Sequence, residues 1–158
     1  MVNPDEEAFA AYGAALVEAV DAVLEGWVVR CVERILVAWR GERDPDVVAL
    51  AAGAGRVARV EVVAELRALL ALDADEQRAN PLAVLRSAVR YPTAVLRDAG
   101  VPEVVRDEFA VRAFPADVYG LVPASFSDID PSLHEVGIEW GAAKAHIHLT
   151  RRRAEGRR

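Results

Sequence analysis

Apolar residues recur at spacings of three and four from Phe9 to Trp39: Phe9, Tyr12, Leu16, Val20, Val23, Trp27, Cys31, Ile35 and Trp39. That period puts them on one helical face. A second stripe, Val17, Leu24, Val28, Val32 and Leu36, widens the face. A surface this broad suits a buried bundle helix better than a two-stranded coiled coil. Residues 5–40 therefore read as one amphipathic helix. Gly13 and Gly26 each weaken it by about 1 kcal/mol relative to Ala. Gly26 is the expected place for a kink or a break.

Arg40-Gly-Glu-Arg-Asp44 makes a turn, with Asp44 as helix N-cap and Pro45 as first helical residue. The next helix is expected from about 45 to about 72. Its first half is small (Ala49, Ala51, Ala52, Gly53, Ala54, Gly55), which lets another helix come close. Its second half carries Val57, Val62, Leu66, Leu69 and Leu70. Residues 5–72 thus form an antiparallel helical hairpin. An unbroken first helix would span about 54 Å against about 40 Å for its partner. Its unmatched end must pack on the C-terminal half or on a second copy of the chain.

Asn80-Pro81 repeats the cap-and-proline start, and helical turns are expected over 81–90, 92–99 and 102–113. Pro81-Leu-Ala-Val-Leu-Arg-Ser-Ala88 is echoed eleven residues later by Pro92-Thr-Ala-Val-Leu-Arg-Asp-Ala99. Eleven residues are close to three helical turns. Leu85 and Leu96 then share a buried face with Leu82 and Val89, and Arg86, Arg90 and Arg97 lie beside it. Two copies are too few for a repeat array, so the echo is a local device. Pro92 either separates two short helices or kinks one.

Residues 114–137 interleave turn chemistry with Phe114, Tyr119 and Phe126 and read as an ordered loop packed on the bundle. Asp130-Pro131 is a third cap-and-proline start. A last helix is expected over 138–153, burying Ile138, Ala142, Ala145 and Leu149, with Trp140 and Ile147 nearby; 151–158 is a basic tail. Alternation is too brief anywhere for a strand. Residues 1–150 thus describe a single all-α domain, a helical bundle.

Composition agrees with a folded chain: 158 residues, 53% hydrophobic and 28% charged. No uncharged run exceeds ten residues, too short for a membrane helix. The acidic start lacks the basic character of a secretory signal. A lone Cys31 cannot form an internal disulfide and fits a reducing compartment. Together these give a cytoplasmic expectation with no membrane role. Eighteen Arg against a single Lys (Lys144) point to a GC-rich bacterial genome.

The net charge of −6 is unevenly spread. Residues 1–29 carry six acids and no base; 77–97 carry four Arg and no acid. Residues 98–140 are acidic, and 141–158 carry six bases against Glu155. Nucleic acid or an anionic surface would be drawn only to the Arg segment and the tail.

Candidate chemistry is thin. His134, Glu135, Glu139 and His146, with His148, are the weak candidates for a metal site, but no HExxH spacing or Cys partner completes a set. On a helix His146 and His148 lie about 200° apart. Cys31 sits on the apolar stripe and reads as a packed thiol. Asp128 and Asp130 lack the other ligands of a calcium loop, and Ala52-Gly-Ala-Gly55 resembles no phosphate loop. No catalytic residue and no cofactor is assigned. Arg86, Arg90, Arg97, Arg151, Arg152 and Arg153 are candidate anion- or partner-binding residues, because a guanidinium presents a planar fork to carboxylate or phosphate. Tyr119 and Phe126 are candidate docking aromatics. The plainer readings are solvated arginines and aromatics folded back onto the bundle. The sequence reading is a non-catalytic interaction or regulatory module that forms a homodimer and engages a protein partner. Nucleic-acid association through the Arg stripe and tail, and a small enzyme or metal protein, are the alternatives.

Overall fold

The computed structural model describes residues 4–72 and 80–156; the end of the basic tail, Arg157 and Arg158, lies outside them. Helix α1 (Pro4–Arg40) runs unbroken for 37 residues, about 55 Å. It opens on Asp5, Glu6 and Glu7, acids that suit the positive end of a helix dipole. Gly26 does not interrupt it. The space where a side chain would sit is taken by the Arg30 guanidinium, 3.2 Å from an ideal Cβ.

After a turn through Gly41, where φ is +85°, α2 (Pro45–Leu70) returns along α1. Asp44 caps it as expected, its carboxylate accepting from the Val47 amide at 2.8 Å. The helices meet through Leu16, Val20, Leu24, Val28, Val32 and Leu36 of α1 and Val47, Ala51, Ala58, Val62 and Leu66 of α2, all fully buried. Gly55 sets the closeness of the crossing. A Cβ there would lie 2.8 Å from Val29 Cγ2 and 3.0 Å from the Glu25 carbonyl oxygen. Arg59 joins the helices at the surface, donating to Asp21 at 2.8 Å.

Asn80 caps α3 (Pro81–Ser87) through the Leu82 amide at 2.9 Å. Helix α4 (Arg90–Asp98) begins before Pro92 rather than at it. Proline has no N–H to give the Ala88 carbonyl four residues back, and the Tyr91 amide takes that carbonyl at 3.2 Å. The break therefore falls at Ala88–Val89, and Leu85 and Leu96 still both reach the core fully buried.

Residues 102–107 depart from the expected helix. The Val104 amide is given to the Val118 carbonyl at 3.0 Å, which holds this stretch extended along the following loop. Only α5 (Glu108–Ala113) is helical; none of its residues is buried, and Phe109 is 75% exposed. Helix α6 (Phe126–Ile129) is a single turn inside the ordered loop.

The last helix, α7 (Leu133–Gly156), starts earlier than expected and is turned the other way. Leu133, Gly137, Trp140 and Ile147 are buried against the bundle, Phe9 and Trp140 with ring centroids 5.8 Å apart. Gly137 admits the Phe126 ring so closely that a Cβ would meet it at 2.6 Å. The stripe expected inside is on the outside: Ile138 is 57% and Leu149 53% exposed, and Ala142 and Ala145 are exposed too. The reason is that α7 carries two apolar stripes. Trp140 supplies the larger apolar area and Gly137 the closer approach, so their stripe takes the core.

Two neighbouring glycines of α2 should respond in opposite senses. Gly53→Ala meets nothing within 4 Å and should stabilise by up to about 1 kcal/mol through helix propensity. Gly55→Ala must displace Val29 or the α1 backbone and should destabilise by about 1–3 kcal/mol. Thermal and urea unfolding of the two variants check this.

Candidate functional site: a pinned loop between two clefts

Residues 114–130 hold little regular structure, so their backbone groups need other partners. Charged side chains supply many of them. Asp117 is buried, and its carboxylate accepts from the amides of Leu121 at 2.6 Å and Val122 at 2.9 Å. These bonds close the turn through Gly120, where φ is +67°. Arg86 reaches from α3 and donates from Nε to the Pro123 carbonyl and from Nη2 to the Ala124 carbonyl, each at 3.1 Å. Asp128 accepts from the Ala124 and Ser125 amides at 2.7 and 3.1 Å. Arg106 donates to the Phe114 carbonyl at 2.7 Å, and Arg30 of α1 to the Ile129 carbonyl at 3.4 Å. The Tyr119 hydroxyl donates to the Val101 carbonyl at 2.8 Å, and burial pushes its pKa up.

The pinned loop separates two open clefts, and Val122 lines both. One, about 820 Å³, lies between the loop and the C-terminal half of α1. Trp27, Cys31, Val37, Ala38, Leu121 and Pro123 make its apolar lining, with Arg30, Glu33, Arg34 and Asp128 among them. Burial raises the pKa of the Cys31 thiol, which stays protonated at neutral pH. The other, about 450 Å³, lies between α3–α4 and residues 114–117, with Phe114, Pro115, Val89, Arg86 and Arg90 in its wall.

The arginines singled out in the sequence do not converge. Arg86 is spent on the loop carbonyls and lies over the Phe114 ring, 5.7 Å from its centroid. Arg90 donates to Glu65 at 3.1 Å and lies over Tyr91, whose hydroxyl bonds Glu61. Arg97 donates to Glu103 at 3.3 Å. Arg151 pairs with Glu6 at 3.2 Å across α7 and α1, while Arg152 and Arg153 are exposed. Tyr119 is buried, and Phe126 is half-buried on Gly137. His134, Glu135 and Glu139 are exposed on α7, and His146 lies 3.4 Å from Asp5. Among the described residues no group of three or more His, Cys, Asp or Glu is placed to hold a metal ion. Sequence reasoning passed over Arg30, Arg34 and Asp117. Arg30 and Arg34 sit one turn apart on α1, flanking Cys31, and that i, i+4 spacing was the available signal.

Arg86→Ala leaves the Pro123 and Ala124 carbonyls without their guanidinium and should cost about 1–3 kcal/mol. Amide hydrogen exchange should speed up at Leu121 and Val122 before it does in α1 or α2. Uniform acceleration across the chain would instead assign Arg86 a general role in stability. No family model, curated protein or solved structure matches this chain.

Proposed function

We propose that this protein is a non-catalytic interaction module that pairs with a second copy of itself through the outer face of α7. The observation that carries the reading is the exposed apolar stripe of Ile138, Ala142, Ala145 and Leu149. With Glu135 before it and Arg152 after it, the stripe keeps strict three-and-four spacing over the helix.

The stripe is also self-complementary. Laid antiparallel on a copy of itself, α7 sets Ile138 against Leu149, Ala142 against Ala145 and Glu135 against Arg152, about a two-fold axis between residues 143 and 144. An isologous interface requires this reciprocity. Small residues at the centre suit a close helix approach of about 8 Å. Among the described residues Glu135 and Arg152 make no ion pair within the chain, so both are available across the axis. The same surface in a parallel pair would oppose like charges. The Arg stripe, by contrast, is engaged by Glu65, Glu103 and the loop carbonyls, which gives the nucleic-acid reading little support.

Four modest side chains per copy bury less than a standard interface. The dimer should therefore be reversible, with a dissociation constant on the order of tens of micromolar. Sedimentation equilibrium over a broad concentration range should show a monomer–dimer equilibrium. Ala145→Arg, on an exposed helical position, should leave the circular dichroism spectrum unchanged and the chain monomeric. A wild-type chain that stays monomeric, or an Ala145→Arg chain that dimerises equally well, contradicts the reading.

A further inference from the structure

We infer that the larger cleft is a binding site for an amphipathic carboxylate, a small molecule with one anionic head and an apolar aromatic or acyl body. The inference is independent of pairing through α7. Its first support is size and lining. About 820 Å³ is within the range of small-molecule sites, which are mostly apolar with a few placed polar groups. The floor here is apolar, from Trp27 and Cys31 on α1 to Leu121, Val122 and Pro123 on the loop.

The second support is the state of the charged groups around that floor. Glu33 is held by Arg43 through two bonds of 3.2 Å. Asp128 is occupied by two backbone amides. Arg30 folds back over Gly26 and bonds the Ile129 carbonyl. Arg34 is different: among the described residues it makes no hydrogen bond or ion pair. The cleft therefore offers an apolar surface and, in Arg34, a guanidinium whose N–H groups have no partner among the described residues. Of the two lining acids, Glu33 is paired with Arg43, and Asp128 keeps its charge but is turned to the Ala124 and Ser125 amides. A guanidinium binds a carboxylate through two parallel N–H bonds, which sets the head group, and the floor sets the body.

The third support is that the walls are firm. Asp117 and Asp128 tie the loop side to its own backbone and Arg86 ties it to α3, and the other wall is the C-terminal half of α1. A preorganised cleft loses less affinity to ordering on binding.

Isothermal titration of the full chain with 2-naphthoate, decanoate and the neutral isostere 2-naphthamide tests the inference. At least one of the two acids should bind at one per chain, and naphthoate about tenfold tighter than naphthamide. Arg34→Gln should erase the preference for the acid while leaving weak binding of the amide. Ala38→Trp, which fills the cleft from an exposed position on α1, should abolish binding of acid and amide alike. Both sites are solvent-facing, and unchanged circular dichroism shows that the variants fold. Three results would each overturn the inference: neither acid binding at millimolar concentration, acid and amide binding equally to the wild type, or Ala38→Trp binding as the wild type does. The oligomeric state of each variant, measured alongside, separates this result from the pairing of α7.

Discussion

The close approach of α1 and α2 at Gly55 is the constraint on which the rest of the molecule is built. A backbone carbonyl of α1 sits 3.0 Å from where a Cβ of residue 55 would be. That contact brings Leu16, Val20, Leu24, Val28, Val32 and Leu36 of α1 into full burial. With one side of α1 closed by α2, its remaining faces receive α4, α6 and α7. The wide apolar face of α1 is explained by this arrangement: a single helix serves as the common wall for most of the fold. The large cleft depends on it as well, since its floor is the part of α1 around Trp27 and Cys31.

Around that wall the chain uses charge in two ways. On the hairpin, Arg59 with Asp21 and Arg43 with Glu33 are exposed pairs, a type worth only about 0–1 kcal/mol each. In the loop the charged groups address backbone. Asp117, Asp128, Arg86 and Arg106 take up amides and carbonyls that no helix or strand satisfies. The buried bond among them, from the Leu121 amide to Asp117, matters most, because a buried backbone group without a partner costs about 1–3 kcal/mol. The acidity of residues 98–140 is thus partly structural. Other charged groups make no hydrogen bond or ion pair among the described residues. Arg34 in the cleft and Glu135 with Arg152 on α7 are three of them, and each lies beside apolar surface.

The hairpin was legible because its signals are local. Asp44-Pro45 and Asn80-Pro81 cap helices through amides two or three residues away, and the α1 stripes repeat over many turns. The loop pins were not legible, since Arg86 and Pro123 are 37 residues apart and Arg30 and Ile129 are 99 apart. No spacing rule connects them. The orientation of α7 failed for another reason. Periodicity detects an apolar stripe but does not rank two stripes on one helix. Phe9 and Phe126, which meet Trp140 and Gly137, decide the matter from elsewhere in the chain. Of the residues proposed from sequence as binding groups, Arg86 and Tyr119 turn out to hold the loop. The cleft residue left with an unengaged charge, Arg34, carried no motif.

The misassigned stripe on α7 is also the central functional observation. The bundle covers one of its two apolar stripes, and the proposed pairing would cover the other. The register of the proposed pairing can be read directly by charge exchange at its ends. Glu135→Arg or Arg152→Glu alone should weaken dimerisation by about tenfold, through two like-charge contacts per dimer. The double exchange should restore the wild-type dissociation constant to within about threefold, measured by sedimentation equilibrium. A double variant as weak as the two losses combined would contradict antiparallel pairing through this face.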